Sequence, residues 1–316
     1  MSRENDAVTQ SKSMFKAADA ANDESFTGLD WSLFIAVSLI WGSSFLLIAE
    51  ALEGLTPGTV TLGRVSIGAI TLVVIRSIRG DAKPIEREDY GSVLLLSLLW
   101  VAVPFTLFPL AQEHINSAVT GLLNGATPVF AGIVSALLVK VVPKGTQLAG
   151  IAAGFVGIVL ISLGSSGGGS TEVRGVLMVL GATVCYGFAV NLASPLQAKY
   201  GPINVMTMML VLATLWVLPF GLFSLSDNDW SLGPIAAVIF LGAVGTGIAY
   251  WIMASLVGRV GSVRASFITY LIPVVSLTLG VLLRDDTVTL LAIVGAVITI
   301  GGAFMASLAK ANAKTT

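Results

Sequence analysis

Residues 31–50 read WSLFIAVSLIWGSSFLLIAE, twenty positions with no charge before the last. As a helix rising 1.5 Å per residue this run is about 30 Å long, the thickness of a bilayer's hydrocarbon core. It is too long for a strand and shows no alternation of period two. Working outward, runs of similar length recur at 58–78, 90–110, 117–139, 146–164, 174–196, 203–223, 232–256, 262–283 and 288–308, ten in all. Lipid offers the backbone no hydrogen-bond partners, so spanning segments must be helices or a closed barrel, and the missing alternation removes the barrel. The composition agrees: 55% of residues are apolar, 11% are charged and the mean hydropathy is +0.90, against roughly 25% charged in a soluble domain. The expected fold class is an all-α polytopic membrane protein with ten transmembrane helices.

Several chemistries are excluded at the same level. With one cysteine and one histidine the chain has no internal disulfide, no multi-cysteine metal cage and no histidine cluster. A net charge of −1 gives no basic face for nucleic acid. No cofactor and no metal are expected, and no catalytic residue is assigned. The glycine run from Gly164 to Ser170 lacks a following GxxxxGK[ST] and reads as a linker rather than a phosphate cradle. Residues 1–30 are polar and carry both signs of charge, which reads as a disordered tail without a secretory signal. Residues 309–316 form a second short tail.

Orientation follows from lysine and arginine once the ten segments are threaded alternately through the bilayer. With the first tail inside, fourteen of the seventeen fall on the inner side; Arg174 and Arg284 fall outside and Arg64 lies within a segment. Both ends are therefore expected to be cytoplasmic, in a multi-pass protein of the inner (cytoplasmic) cell membrane.

The chain also repeats. A shift of 145 residues places Trp41-Gly42 on Tyr186-Gly187, Pro57 on Pro202, Ser117 on Ser262, Pro128-Val129 on Pro273-Val274, Gly150 on Gly295 and Gly157 on Gly302. The landmarks hold one register although overall identity is low. Two five-helix repeats are expected, 31–164 and 174–308. Five is odd, so the second repeat enters the membrane from the opposite side, an inverted arrangement that many secondary transporters use to build a site near the midplane.

Three stretches, WGSSFLLIAEALEGLTPGTVTLGRVSIGAI (41–70), INSAVTGLLNGATPVFAGIVSALLV (115–139) and VGSVRASFITYLIPVVSLTLGVLL (260–283), resemble EamA-type transporters of the drug/metabolite transporter superfamily. The likeness covers residues 31–308. It implies a ten-helix carrier in which segments 1–4 and 6–9 surround a central cavity, segments 5 and 10 lie peripherally, and the cargo is an amino acid or related metabolite, exported. The sequence departs from symmetry at Arg64, whose partner position is Met209.

Within this frame each polar constellation has a functional and a structural reading. In segment 1, Trp41, Gly42, Ser43 and Ser44 can line a cavity, or pack with the serines bonded to their own helix. In segment 6, Tyr186, Gly187 and Asn191 match that stretch, and an amide such as Asn191 is costly in lipid without a partner. Asn124, Thr127 and Pro128 in segment 4, with Tyr270 and Pro273 in segment 9, mark kinks. Proline frees the carbonyl four residues back, to meet a substrate ammonium or to be patched by a hydroxyl. Arg64 lies seven residues past Pro57, about 10 Å below the membrane boundary. It can take a substrate carboxylate bidentately, or pair with Glu50 or Glu53. Tyr250 and Trp251 in segment 8 are the better aromatic cavity candidates. Gly42, Pro128, Gly187 and Pro273 are expected as hinges or gates.

These residues lead to a secondary carrier working by alternating access. Its expected partners are a small-molecule substrate and the lipid bilayer, as a monomer or as a homodimer through the glycine stripes of segments 5 and 10. The rivals are a passive channel, a non-transporting membrane subunit, and an intramembrane enzyme pairing a serine with His114. The last needs the imidazole near 3 Å from its nucleophile, and His114 falls at the end of segment 3.

Overall fold

The computed structural model describes residues 26–80, 83–140, 142–143, 145–165 and 170–312. Most of the first tail (1–25), Lys144, the centre of the glycine run (166–169) and residues 313–316 lie outside the described residues. The chain forms α1 (Gly28–Leu52), α2 (Pro57–Arg79), α3 (Tyr90–Gln112), α4 (Ser117–Val139), α5 (Thr146–Ser165), α6 (Ser170–Tyr200), α7 (Pro202–Phe223), α8 (Leu232–Ala265), α9 (Ile268–Arg284) and α10 (Leu290–Asn312). Among the described residues nine of these are long and apolar enough to cross a membrane, α9 is a shorter apolar helix, and no strand occurs. The chain is an all-α, multi-pass membrane protein.

Local signals set the ends. The Thr27 hydroxyl accepts from Asp30 N–H while the Asp30 carboxylate accepts from Thr27 N–H, a reciprocal cap that starts α1. Thr56 and Asn116 cap α2 and α4 through their side chains, and Pro57 and Pro202 take first-turn positions where their missing N–H costs nothing. Gly80, at φ 68°, ends α2 in a conformation that favours glycine.

Loop contacts fix the threading. On one rim, Asp229 N–H donates to the Gly54 carbonyl, Asn228 Oδ1 accepts from Thr56 N–H, and Asn116 Nδ2 donates to the Thr287 carbonyl. On the other, Lys83 N–H donates to Asn204 Oδ1 and Glu86 N–H to the Tyr200 hydroxyl. Successive helices alternate between these rims, so α1 and α6, which begin the two repeats, run oppositely. The packing keeps the inverted symmetry: α1 lies on α9 and α8, as α6 lies on α4 and α3, while α2 pairs with α7 and α5 with α10.

The glycine stripes of α5 and α10 meet each other inside one chain. A Cβ at Gly150 would fall 2.5 Å from the Gly302 carbonyl oxygen, and one at Gly295 would fall 2.6 Å from that of Gly157. Backbone lies on backbone, so any contact between two copies through these helices would use their other faces.

The regular helices are interrupted in three ways that hydropathy does not register. First, α3 and α8 each contain a π turn, Leu98–Ala102 and Ala243–Ile248, at positions related by the 145-residue shift. Second, α4 breaks at Gly125–Ala126, inside the expected polar kink. Third, segment 9 does not run unbroken from 262: Gly261 sits at φ 81° and a turn at Ser266–Phe267 precedes α9. That turn falls one helical turn earlier than the α4 break carried across by 145, so the kinks are not equivalent. Gly164 and Ser165 extend α5 and Ser170 starts α6, shortening the expected linker.

Candidate functional site

The π turns decide what faces the interior. A π turn inserts one residue and rotates the helix face beyond it, and such turns recur at functional sites. In α8 it buries Thr246 completely, with its hydroxyl donating to the Leu241 carbonyl at 2.9 Å. Arg64 of α2 reaches this hydroxyl: Nε donates to Thr246 Oγ1 at 3.2 Å. On its other side the guanidinium carbon stands 3.9 Å from the centre of the Phe105 ring of α3, a cation–π contact. The Tyr186 and Tyr250 hydroxyls lie within electrostatic reach of the same group. Trp41 meets Tyr250 edge-on with ring centres 6.0 Å apart, and Phe108 links Phe45 to Tyr186 at 5.4 and 6.1 Å.

The 145-residue shift gives this cluster an internal logic. Trp41 maps on Tyr186, and Phe105 maps on Tyr250. Four aromatic side chains, two per repeat, thus come to one place between the halves. Arg64 and Thr246 break the pattern: the counterpart of Arg64 is Met209, packed in an apolar cluster, and that of Thr246 is Val101.

Arg64 is 5% exposed, yet no carboxylate pairs with it among the described residues. The expected partners are taken: Arg284, at the end of α9, binds Glu50 and Glu53. At the opposite rim Arg259 pairs with Asp30 at 2.5 Å, and Lys199 with Glu86 and Asp89 at 2.6 and 2.8 Å. These three rim cations have carboxylate partners, and Arg64 has none among the described residues. Of its five N–H donors, only Nε is used among the described residues, and both terminal nitrogens keep some accessible surface.

The other singled-out residues divide. Ser43 and Ser44 both donate to the Ile40 carbonyl of their own helix, at 3.0 and 3.1 Å, with Ser44 abutting the α8 π turn at Gly245. Gly42 lets α1 pack on α9, where a Cβ would come 3.2 Å from the Ile272 carbonyl oxygen. Gly187 does the same for α6 on α4, against Phe130, and Asn191 spans that seam, donating to the Gly187 and Ala131 carbonyls at 2.8 and 3.3 Å. The carbonyl freed by Pro128, that of Asn124, is patched by the Thr127 hydroxyl at 2.8 Å. Asn124 Oδ1 and Trp251 Nε1 are buried without partners. Pro273 lies against Gly125, at the α4 break. Tyr270 is not brought to the cluster. It packs on Phe267 and on Phe304 of α10, because the Ser266–Phe267 turn sets the phase of α9. His114 lies in the turn after α3, beside the first turns of α6.

Phe45, Phe105, Phe108 and Thr246 are not among the candidates singled out from the sequence. The signal was present for Phe105, since the shift that equates Trp41 with Tyr186 also equates Phe105 with Tyr250.

A family model described as the EamA-like transporter family matches residues 31–163 and 173–308. An uncharacterized transporter of Archaeoglobus fulgidus is 27% identical over 275 residues, 87% of this chain and 97% of the relative. A probable terminal-alkyne amino-acid exporter of Streptantibioticus cattleyicolor is 24% identical, covering 87% and 92%, and a probable amino-acid metabolite efflux pump of Escherichia coli is 23% identical, covering 87% and 94%. One crystal structure matches with a TM-score of 0.62 at 22% identity, over 90% of this chain and 98% of the other, a likeness of fold.

Proposed function

The chain belongs to the EamA-like transporter family, and from that premise we propose that it is a secondary carrier exporting a small polar metabolite, an amino acid or related compound, by alternating access. The observation that carries the proposal is the buried, acid-free Arg64 set among aromatic side chains drawn from both repeats. An ionisable group at membrane depth is expensive and marks a substrate path by default. A site between inverted repeats can open to either rim as one half rocks against the other.

The names of the amino-acid exporter and the efflux pump support the cargo class and the direction. In this reading the domains are the two repeats, 31–164 and 174–308, the membrane is the inner cell membrane, and the excess of lysine and arginine on one side places both termini in the cytoplasm. The interruptions in α4 and before α9 serve as the flexible points.

The test is flux in sealed vesicles. A carrier gives saturable efflux of at least one metabolite in a panel of amino acids and related compounds, and is accelerated by the same compound on the far side. Flux that neither saturates nor shows counterflow is channel behaviour and sinks the proposal. Tags on the two termini reported from opposite faces of the membrane sink the topology beneath it.

A further inference from the structure

The site holds one charge, and the sequence offers nothing at its depth to neutralise it. All eighteen Asp and Glu residues lie in tails, loops or helix ends, and the single histidine lies in the turn after α3. No carboxylate in the middle of a helix can therefore accept a cargo ammonium or carry a proton across with the cargo. What the site does offer is a guanidinium whose Nε is fixed by Thr246 and whose flank is fixed by Phe105, leaving two terminal nitrogens side by side with no acceptor among the described residues. That fork matches the two oxygens of one carboxylate. The aromatic rings of Trp41, Tyr186 and Tyr250 offer the rest of the cargo an apolar, flat-faced wall.

Resting on the carrier reading, we propose that the preferred cargo is an organic monocarboxylate without a free ammonium group, held by its carboxylate on Arg64 and moved as an anion with no co-transported ion. An added ammonium would sit near the guanidinium without a carboxylate of its own, so the net-anionic member of a pair is favoured over the zwitterion. Movement of one uncompensated negative charge is driven by the membrane potential, toward the positive side. Each 100 mV then sustains a concentration ratio of about 50-fold.

The experiment uses the full chain in proteoliposomes with a potassium diffusion potential set by valinomycin. The probes are phenylalanine, N-acetylphenylalanine and N-acetylphenylalanine amide, which share one body but differ in charge, with a panel of free amino acids beside them. The expected result is saturable flux of N-acetylphenylalanine at least about tenfold above that of phenylalanine, whose ammonium would be desolvated without an acceptor. No flux of the amide is expected, and the steady ratio should follow the potential by about 50-fold per 100 mV. Arg64→Gln should abolish this flux, and Arg64→Lys should raise KM while keeping the dependence on potential. Carriage of phenylalanine in preference to its acetylated form, or flux indifferent to potential, overturns this proposal and leaves the carrier reading standing. No saturable flux of any probe or panel compound overturns both.

Discussion

Replacing Arg64 by methionine, the residue at its counterpart position 209, sets folding against function. The substitution removes the Nε–Thr246 hydrogen bond, about 1.5–3 kcal/mol for a charged donor, and the contact with Phe105, about 0.5–2 kcal/mol. It also relieves the burial of a guanidinium that is 5% exposed and unpaired with an acid, a penalty of several kcal/mol. Replacing buried charges by apolar groups of similar volume is commonly neutral or stabilising by about 1–4 kcal/mol. The net expectation for Arg64→Met is a stability between unchanged and about 4 kcal/mol higher. At roughly 2 °C per kcal/mol for a chain of this size, the midpoint in detergent should hold or rise by up to about 8 °C, while cargo binding and flux are lost. Thermal melts of purified protein, read beside vesicle flux, decide the matter. A midpoint falling by more than about 4 °C, a loss near 2 kcal/mol on the same scale, would show that Arg64 is a structural strut, and the argument from its unpaired charge would fail.

Thr246→Val should raise KM for cargo at least about tenfold with the maximal rate held, since the guanidinium loses the hydroxyl that orients Nε, worth about 1.5–3 kcal/mol; initial-rate kinetics check the split. Gly302→Leu places side-chain atoms where the Gly150 carbonyl oxygen and the Gly154 amide already lie, so it should cost about 1–3 kcal/mol or more, measured as a fall in melting midpoint. Gly301→Leu, beside it and facing open space, should leave the midpoint alone. Tyr250→Phe should alter KM, whereas Tyr270→Phe should not, because Tyr270 is packed against Phe304 of α10; equal effects from the two would contradict the assignment of the site.

The ten spans and their two-repeat register were legible because burial in lipid leaves a long apolar run for every crossing, whatever the details within it. The glycine stripes of segments 5 and 10 were legible as close-packing faces, but reading them as a contact between two copies did not reveal that they face each other inside one chain. The interior geometry was not. A π turn is a local change of hydrogen-bond register, and neither LLWVA at 98–102 nor AVGTGI at 243–248 differs in hydropathy from an ordinary helical turn. Yet those turns present Thr246 and Phe105 to Arg64. The ion pairs were legible only by side of the membrane: Glu50 and Glu53 lie near the rim from which α2 starts, but that Arg284 would claim them depends on how α9 docks on α1. Tyr270 was misdirected for the same reason, since one early turn at Ser266–Phe267 changes which way the following helix faces.

The most direct test of alternating access replaces Tyr186 by cysteine in a Cys185→Ser background and treats sealed vesicles of known orientation with a membrane-impermeant thiol reagent from each side. A site between two rocking halves predicts labelling from either side, protection by saturating cargo, and no leak of the reagent across the membrane. Labelling from one side only under every cargo condition, or labelling that cargo never slows, would contradict it.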